Sequence, residues 1–390
     1  MSGETSSDRP IDWWVMRGGD LPRLISMLVD EFDEVIGPVA IDGVIRLRPI
    51  RSVADLPRGV TDEQETAVYR LRDTGTSLHF SYGLGPDSLK SLVHPPRSPV
   101  WTMRRRDGSL IVEPALHGTT TRAVVGVRAC DVRALDVLER TQTGGAHIDP
   151  GFAARRAGLF LVTVDCTHAA PTCFCEGVEG GVAADHGYDL ALTELDDRRS
   201  IVYLVRAGTA RGRAVIDALG LVHAPAPLLE QRSRELAAAS RDFVRELPDD
   251  APVLVQQADH PHWDEVAERC LTCGNCTAVC PTCFCTDMED LIALDGESST
   301  RTRIWDTCFS QEYSHLGPGP HRASPASRYR QWLSHKLGTW HDQFGESGCV
   351  GCGRCITWCP VGIDLTAEVE SLGVPQLGVL QLGVPREVTS

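Results

Sequence analysis

The sequence predicts an α/β amino-terminal domain with a parallel sheet (residues 1–250), followed by a mainly α-helical, cysteine-rich domain (251–370). Three observations predict it. A strand, a helix and a second strand follow one another over 121–166. The segment ELPDDAP (246–252) reads as a boundary. Most of the 15 cysteines lie beyond that boundary. The remainder, 371–390, reads as a flexible tail.

The elements follow in order. Leu21, Leu24, Ile25, Leu28 and Phe32 recur at helical spacing, so 20–35 is a helix. VAIDGVIRLRPI (39–50) is two strands around a turn at Asp42-Gly43. Residues 77–99 mix turn residues with a short helix and end in a proline-rich loop. TRAVVGVRAC (121–130) is a buried strand, DVRALDVLERTQ (131–142) a helix with Asp131 at its N-cap, and AGLFLVTVDC (157–166) another buried strand. A strand–helix–strand unit makes its two strands parallel. IVYLVRAG (201–208) is a further strand, and 211–222 and 229–246 are helices. In 326–344, Trp332, Leu333, Leu337 and Trp340 share one side of a helix and read as core packing. The period-five repeat at 372–385 is too short for a solenoid and reads as tail, or as a segment that docks on a partner.

Composition narrows the function. The chain has 390 residues, 42% apolar and 23% charged, with a net charge of −15. An acidic surface disfavours nucleic acid and anionic membranes as partners. No apolar run reaches the ~18–20 residues that span a bilayer. The start, MSGETSSDRPIDWW, lacks the basic and apolar regions of a signal peptide, which places the protein in the cytoplasm. In that reducing compartment an odd number of cysteines is no disulfide framework. Thiolates in such quantity point to metal.

Their spacing names the metal. Cys270, Cys273, Cys276 and Cys280, followed by Pro281, form a C-x2-C-x2-C-x3-C-P run. Cys349, Cys352, Cys355 and Cys359, followed by Pro360, form a second. This is the run of paired [4Fe–4S] sites, in which the fourth cysteine reaches across to the other cluster. Cys270, Cys273, Cys276 and Cys359 therefore hold one cluster, and Cys349, Cys352, Cys355 and Cys280 the second. Structural zinc pairs its ligands without a third cysteine and trailing proline. The long insert 281–348 is the spacing of a helical dicluster ferredoxin domain.

The other cysteines are Cys130, Cys166, Cys173, Cys175, Cys283, Cys285 and Cys308. Residues 171–175 and 281–285 both read Pro-Thr-Cys-Phe-Cys, although only the second copy adjoins a cluster run. Cys130 and Cys166 each end a strand of the parallel sheet, at the carboxyl edge where such sheets build sites. Cys173 and Cys175 follow by a short loop, so these four thiols suit a third [4Fe–4S] cluster. Zinc and plain buried thiols are the alternatives. Cys283, Cys285 and Cys308, with Asp287, Asp306 or His315, suit a further cluster; a ligand exchange at the second cluster or structural thiols are the other readings. No G-x-G-x-x-G follows a strand, no Walker loop is present, and no catalytic triad or H-E-x-x-H is seen.

The chain resembles the β subunit of cytoplasmic NAD(P)-linked [NiFe]-hydrogenases (sulfhydrogenases) and a related component of anaerobic sulfite reductase. IGPVAIDGVI (36–45), GLGPDSLKSLVHPP (83–96), GVRACDVRALDVL (126–138), DCTHAAPTCFC (165–175), GYDLALTEL (187–195), CPTCFC (280–285), RIWDTC (303–308), SHKL (334–337) and CVGCGRCITWCP (349–360) carry the resemblance. It implies an iron–sulfur electron conduit between a flavin subunit that binds NAD(P) and the [NiFe]-hydrogenase small and large subunits. A component of a sulfite or sulfur reductase is the alternative within that resemblance. A stand-alone iron–sulfur reductase and a redox-inactive metal scaffold are alternatives of other classes.

Overall fold

A computed structural model of the chain describes residues 12–116, 120–197 and 200–373. Residues 374–390, most of the expected tail and of the period-five repeat, lie outside the described residues, whereas 371–373 are helical.

An eight-stranded sheet organises the amino-terminal part, in the order Val222–His223, Trp14–Arg17, Ile201–Ala207, Leu190–Asp196, Leu159–Val164, Arg122–Val127, Glu34–Ile41, Val44–Pro49. Its four central strands, from Leu190–Asp196 to Glu34–Ile41, run parallel. The outer pairings are antiparallel, so the sheet is mixed with a parallel centre. Strands covered on both faces read as unbroken apolar runs, and every residue of LFLVTV in Leu159–Val164 is buried. Phe160 and Val162 face the helices Leu21–Glu31 and Ala210–Leu219. Leu159 and Leu161 face the opposite core, with Val132, Leu135 and Leu138 of the helix Ala129–Gln142.

The strand expected over 121–130 ends at Val127, and Cys130 lies in the first turn of Ala129–Gln142. The residue capping that helix is Arg128, not Asp131. Asp131 is instead buried against Arg354, a partner more than two hundred residues away. A bulge at Gly126 (φ +82°) shifts the register against Leu159–Val164 and turns the chain toward the sheet's carboxyl edge.

Residues 97–99 are strand, not loop. Arg97–Arg106 and Ser109–Pro114 join Thr286–Ile292 and Ser298–Trp305 in a four-stranded antiparallel sheet. Pro99 is tolerated because it sits beside the register shift at Arg301/Thr302. This sheet crosses the boundary expected at 246–252, and it means that the carboxyl-terminal part is helical only in part. Helices His262–Arg269, Pro325–Ser334 and Leu365–Gly373 pack a second core there around Trp263, Tyr329, Trp332, Leu333 and Leu337. The helix expected over 326–344 contains one π turn, His335–Thr339, between Pro325–Ser334 and Trp340–Phe344. No helix among the described residues is long and apolar enough to cross a membrane.

Candidate metal centres

The two cluster runs share one backbone path. Two residues after the leading cysteine the chain turns left-handed, at Thr272 (φ +50°) and Gly351 (φ +63°), and it does so again at Gly274 (φ +71°) and Gly353 (φ +69°). Short helices then carry the third cysteine, Cys276 in Asn275–Val279 and Cys355 in Arg354–Thr357. Winding of this kind aims amides at sulfur: Thr272 N–H donates to Cys270 Sγ (3.4 Å) and Gly351 N–H to Cys349 Sγ (3.4 Å). Ile363 N–H donates to Cys359 Sγ (3.3 Å).

Cys270, Cys273, Cys276 and Cys359 line one apolar cavity, with Phe309, Tyr329 and Trp332. Tyr329 Oη and Trp332 Nε1 are buried without a partner, so the cavity presents unused donors beside its thiols. Burial pushes the thiols of Cys270 and Cys276 up, and the neighbouring thiols push them further. Four crowded thiolates are unfavourable there without cations, which an iron–sulfur cube supplies.

Cys280, Cys349, Cys352 and Cys355 form the second group. Burial raises Cys349 to about 12 and Cys355 well above its ordinary value, and each also feels the other thiols of the group. Here a cation is built in: Lys336 Nζ donates to Cys280 Sγ (3.3 Å).

Cys130, Cys166, Cys173 and Cys175 line a third cavity, beneath the carboxyl edge of the parallel sheet. Cys166 follows Leu159–Val164, whereas Cys130 arrives from the helix after the neighbouring strand. Tyr82 Oη lines the same cavity and has no partner. Burial raises all four thiols, Cys175 to about 12. Cys352 of the second group also borders this cavity, as Cys355 borders the first. Among the described residues no three His, Cys, Asp or Glu converge on a single-ion position; the first and third thiol sets instead ring cavities.

The repeated Pro-Thr-Cys-Phe-Cys has a structural basis. Both copies pack on the second cluster run or on the residue just before it. In the first copy, Thr172 Oγ1 meets Thr357 Oγ1 (2.8 Å) and Phe174 N–H donates to the Gly351 carbonyl (2.8 Å). In the second, Thr282 Oγ1 donates to the Gly348 carbonyl (2.8 Å). Cys285 and Cys308 of the remaining trio have sulfurs 3.9 Å apart, and Cys308 holds the Cys285 thiol down to about 6 by hydrogen bonding to it. Cys283 lies against Cys280. Of the carboxylate and imidazole ligands expected beside this trio (Asp287, Asp306 or His315), Asp306 is the one that lies near the Cys285 thiol.

Two features escaped the sequence reading. One is Lys336, whose residue type looks like an exposed helix position. The other is Arg354, inside the second run, which donates to Asp131 Oδ1 (2.9 Å) with both side chains at most 2% exposed. Burial would weaken its charge, but Asp131 and the thiols of Cys352 and Cys130 hold it. Removing one partner leaves the other as an uncompensated buried charge, at a cost of about 3–5 kcal/mol. Asp131→Asn is therefore expected to lower the denaturant midpoint of unfolding by a corresponding amount. An unchanged midpoint would mean that the pair is not what joins the helix to the run.

Residues 269–363 match the model of the 4Fe-4S dicluster domain family. The fold and thiols thus define an iron–sulfur protein with two [4Fe–4S] clusters, an electron-transfer subunit by class. The chain is 30% identical to sulfhydrogenase 2 subunit beta of Pyrococcus furiosus over 243 residues, 61% of this chain and 70% of that protein. It belongs to the family of sulfhydrogenase β subunits. No solved structure matches it.

Proposed function

We propose that the chain is a three-cluster relay. Cys270, Cys273, Cys276 and Cys359 hold the first cube. Cys280, Cys349, Cys352 and Cys355 hold the middle one, and Cys130, Cys166, Cys173 and Cys175 the third. A cube passes single electrons by tunnelling, and the protein's part is to fix positions and tune potentials. The observation that carries the order is that Cys355 borders the first cavity and Cys352 the third, so the middle group touches both neighbours. Cys283, Cys285 and Cys308 are the place for any further cluster.

In this reading one end of the relay meets a flavin subunit that binds NAD(P), and the other meets the small and large subunits of a [NiFe]-hydrogenase, in the cytoplasm. The similarity to a Pyrococcus protein that is a subunit of a sulfhydrogenase favours hydrogen over sulfite chemistry. Anaerobically purified chain is expected to hold about twelve iron and about twelve acid-labile sulfide, against about eight of each for the dicluster pair alone. Chemical iron and sulfide assays decide. Zinc without sulfide would end the relay reading altogether.

A further inference from the structure

Two lysines are buried beside the middle group, Lys336 at 6% and Lys90 at 3% exposure. Lys336 Nζ donates to Cys280 Sγ (3.3 Å), Thr282 Oγ1 (2.9 Å) and the Gly348 carbonyl (3.4 Å). Lys90 Nζ donates to the carbonyls of Thr277 (3.0 Å) and Ala278 (3.2 Å), just before Cys280, and sits 4.0 Å over the Trp305 ring. Among the described residues no carboxylate forms an ion pair with either lysine. A buried ammonium costs several kcal/mol unless an opposite charge answers it. The charge at hand is the sulfur of Cys280 and whatever that sulfur holds. Lys336 lies buried in the π turn His335–Thr339, between Leu333 and Leu337 of the second core.

We infer that Lys336, supported by Lys90, sets the reduction potential of the middle cluster, raising it above that of the first cube. The inference rests on the relay reading and deepens it. A cube held by four thiolates is negative in both redox states and gains one more negative charge on reduction. A fixed cation touching one of its sulfurs favours the more negative state, so the potential rises. One electron arrives from a neighbouring cube; no bond forms or breaks, and Lys336 neither takes nor gives a proton. The first cavity shows the contrast, because the residues lining it include no cationic side chain.

The test is a redox titration followed by electron paramagnetic resonance on the anaerobic full-length chain. Iron and sulfide are counted first in the unsubstituted chain; absence of cubes there defeats the relay reading and the tuning with it, and is told apart from a failure of the tuning alone by that count. With cubes present, Lys336→Met is expected to move one midpoint to lower potential and leave the others in place, while Lys336→Arg restores it. Unchanged midpoints in Lys336→Met at full iron content would overturn the inference. So would an equal shift in Lys336→Arg, which would make the effect one of packing. Should Lys336→Met fail to retain the middle cube, Lys90→Met is read in its place: a smaller downward shift of the same midpoint supports the inference, and no shift overturns it.

Discussion

Replacing Cys173 and Cys175 together by serine in the full-length chain is expected to remove about four irons, taking the content from about twelve to about eight. Both thiols line the third cavity with Cys130 and Cys166. Serine keeps the size of each side chain, so the close packing of the first Pro-Thr-Cys-Phe-Cys copy on Gly351 is preserved while the soft sulfur ligands are lost. The dicluster signals should remain, because Cys270, Cys273, Cys276, Cys359, Cys280, Cys349, Cys352 and Cys355 are untouched. Iron analysis with paramagnetic resonance at low temperature reads both quantities. An iron content left unchanged by the double substitution would make these two thiols structural and not ligands of a third cube.

A larger disturbance is expected from one methyl group. A Cβ at Gly353 would lie 2.2 Å from the Thr172 carbonyl oxygen and 2.5 Å from its carbon, which are backbone atoms with no freedom to swing aside. Its φ of +69° adds the left-handed strain that side chains avoid. The strain costs about 1–2 kcal/mol, and forcing atoms into a filled site adds about 1–3 kcal/mol or more. Together they take a substantial share of the ~5–15 kcal/mol that keeps a domain folded. Gly353→Ala should therefore lower the unfolding midpoint and bleach the visible absorbance of the second and third centres together, because this contact joins their walls. Gly43→Ala is the control. Its φ is +75°, but nothing lies within 4 Å of the added atom, so only the strain remains. If the two variants lose equal stability, the contact between the second run and the Thr172 loop is not tight.

Local chemistry made part of this architecture readable in advance. Cysteine spacing is set by the cube itself, so the two runs announce themselves without any knowledge of the fold. The parallel centre was equally plain, since strands covered on both faces must be apolar throughout. The hairpin 286–305 was not. TDMEDLI and SSTRTRIW carry charge or polarity at most positions, and it is pairing with Arg97–Arg106 that makes them strands. Cys130 was placed on the right edge but the wrong element, because a bulge at one glycine ends the strand three residues early. Lys336 and Arg354 were invisible for a different reason. Their partners, Cys280 and Asp131, are distant in sequence, and a buried cation has no local signature.

The four-stranded sheet has a consequence in time. Arg97–Arg106 leaves the ribosome long before its partner Ser298–Trp305. At ordinary rates of synthesis the wait is roughly 10–40 s. Throughout it, an edge bearing Val100, Trp101 and Met103 stands without its neighbour, the condition under which strands join the wrong chain. The third cavity is in the same position, since Gly351 and Cys352 complete its wall long after Cys130, Cys166, Cys173 and Cys175 are made. Assembly of this protein is therefore a matter of schedule: the nascent amino half has to be kept from self-association until residues 286–305 are made.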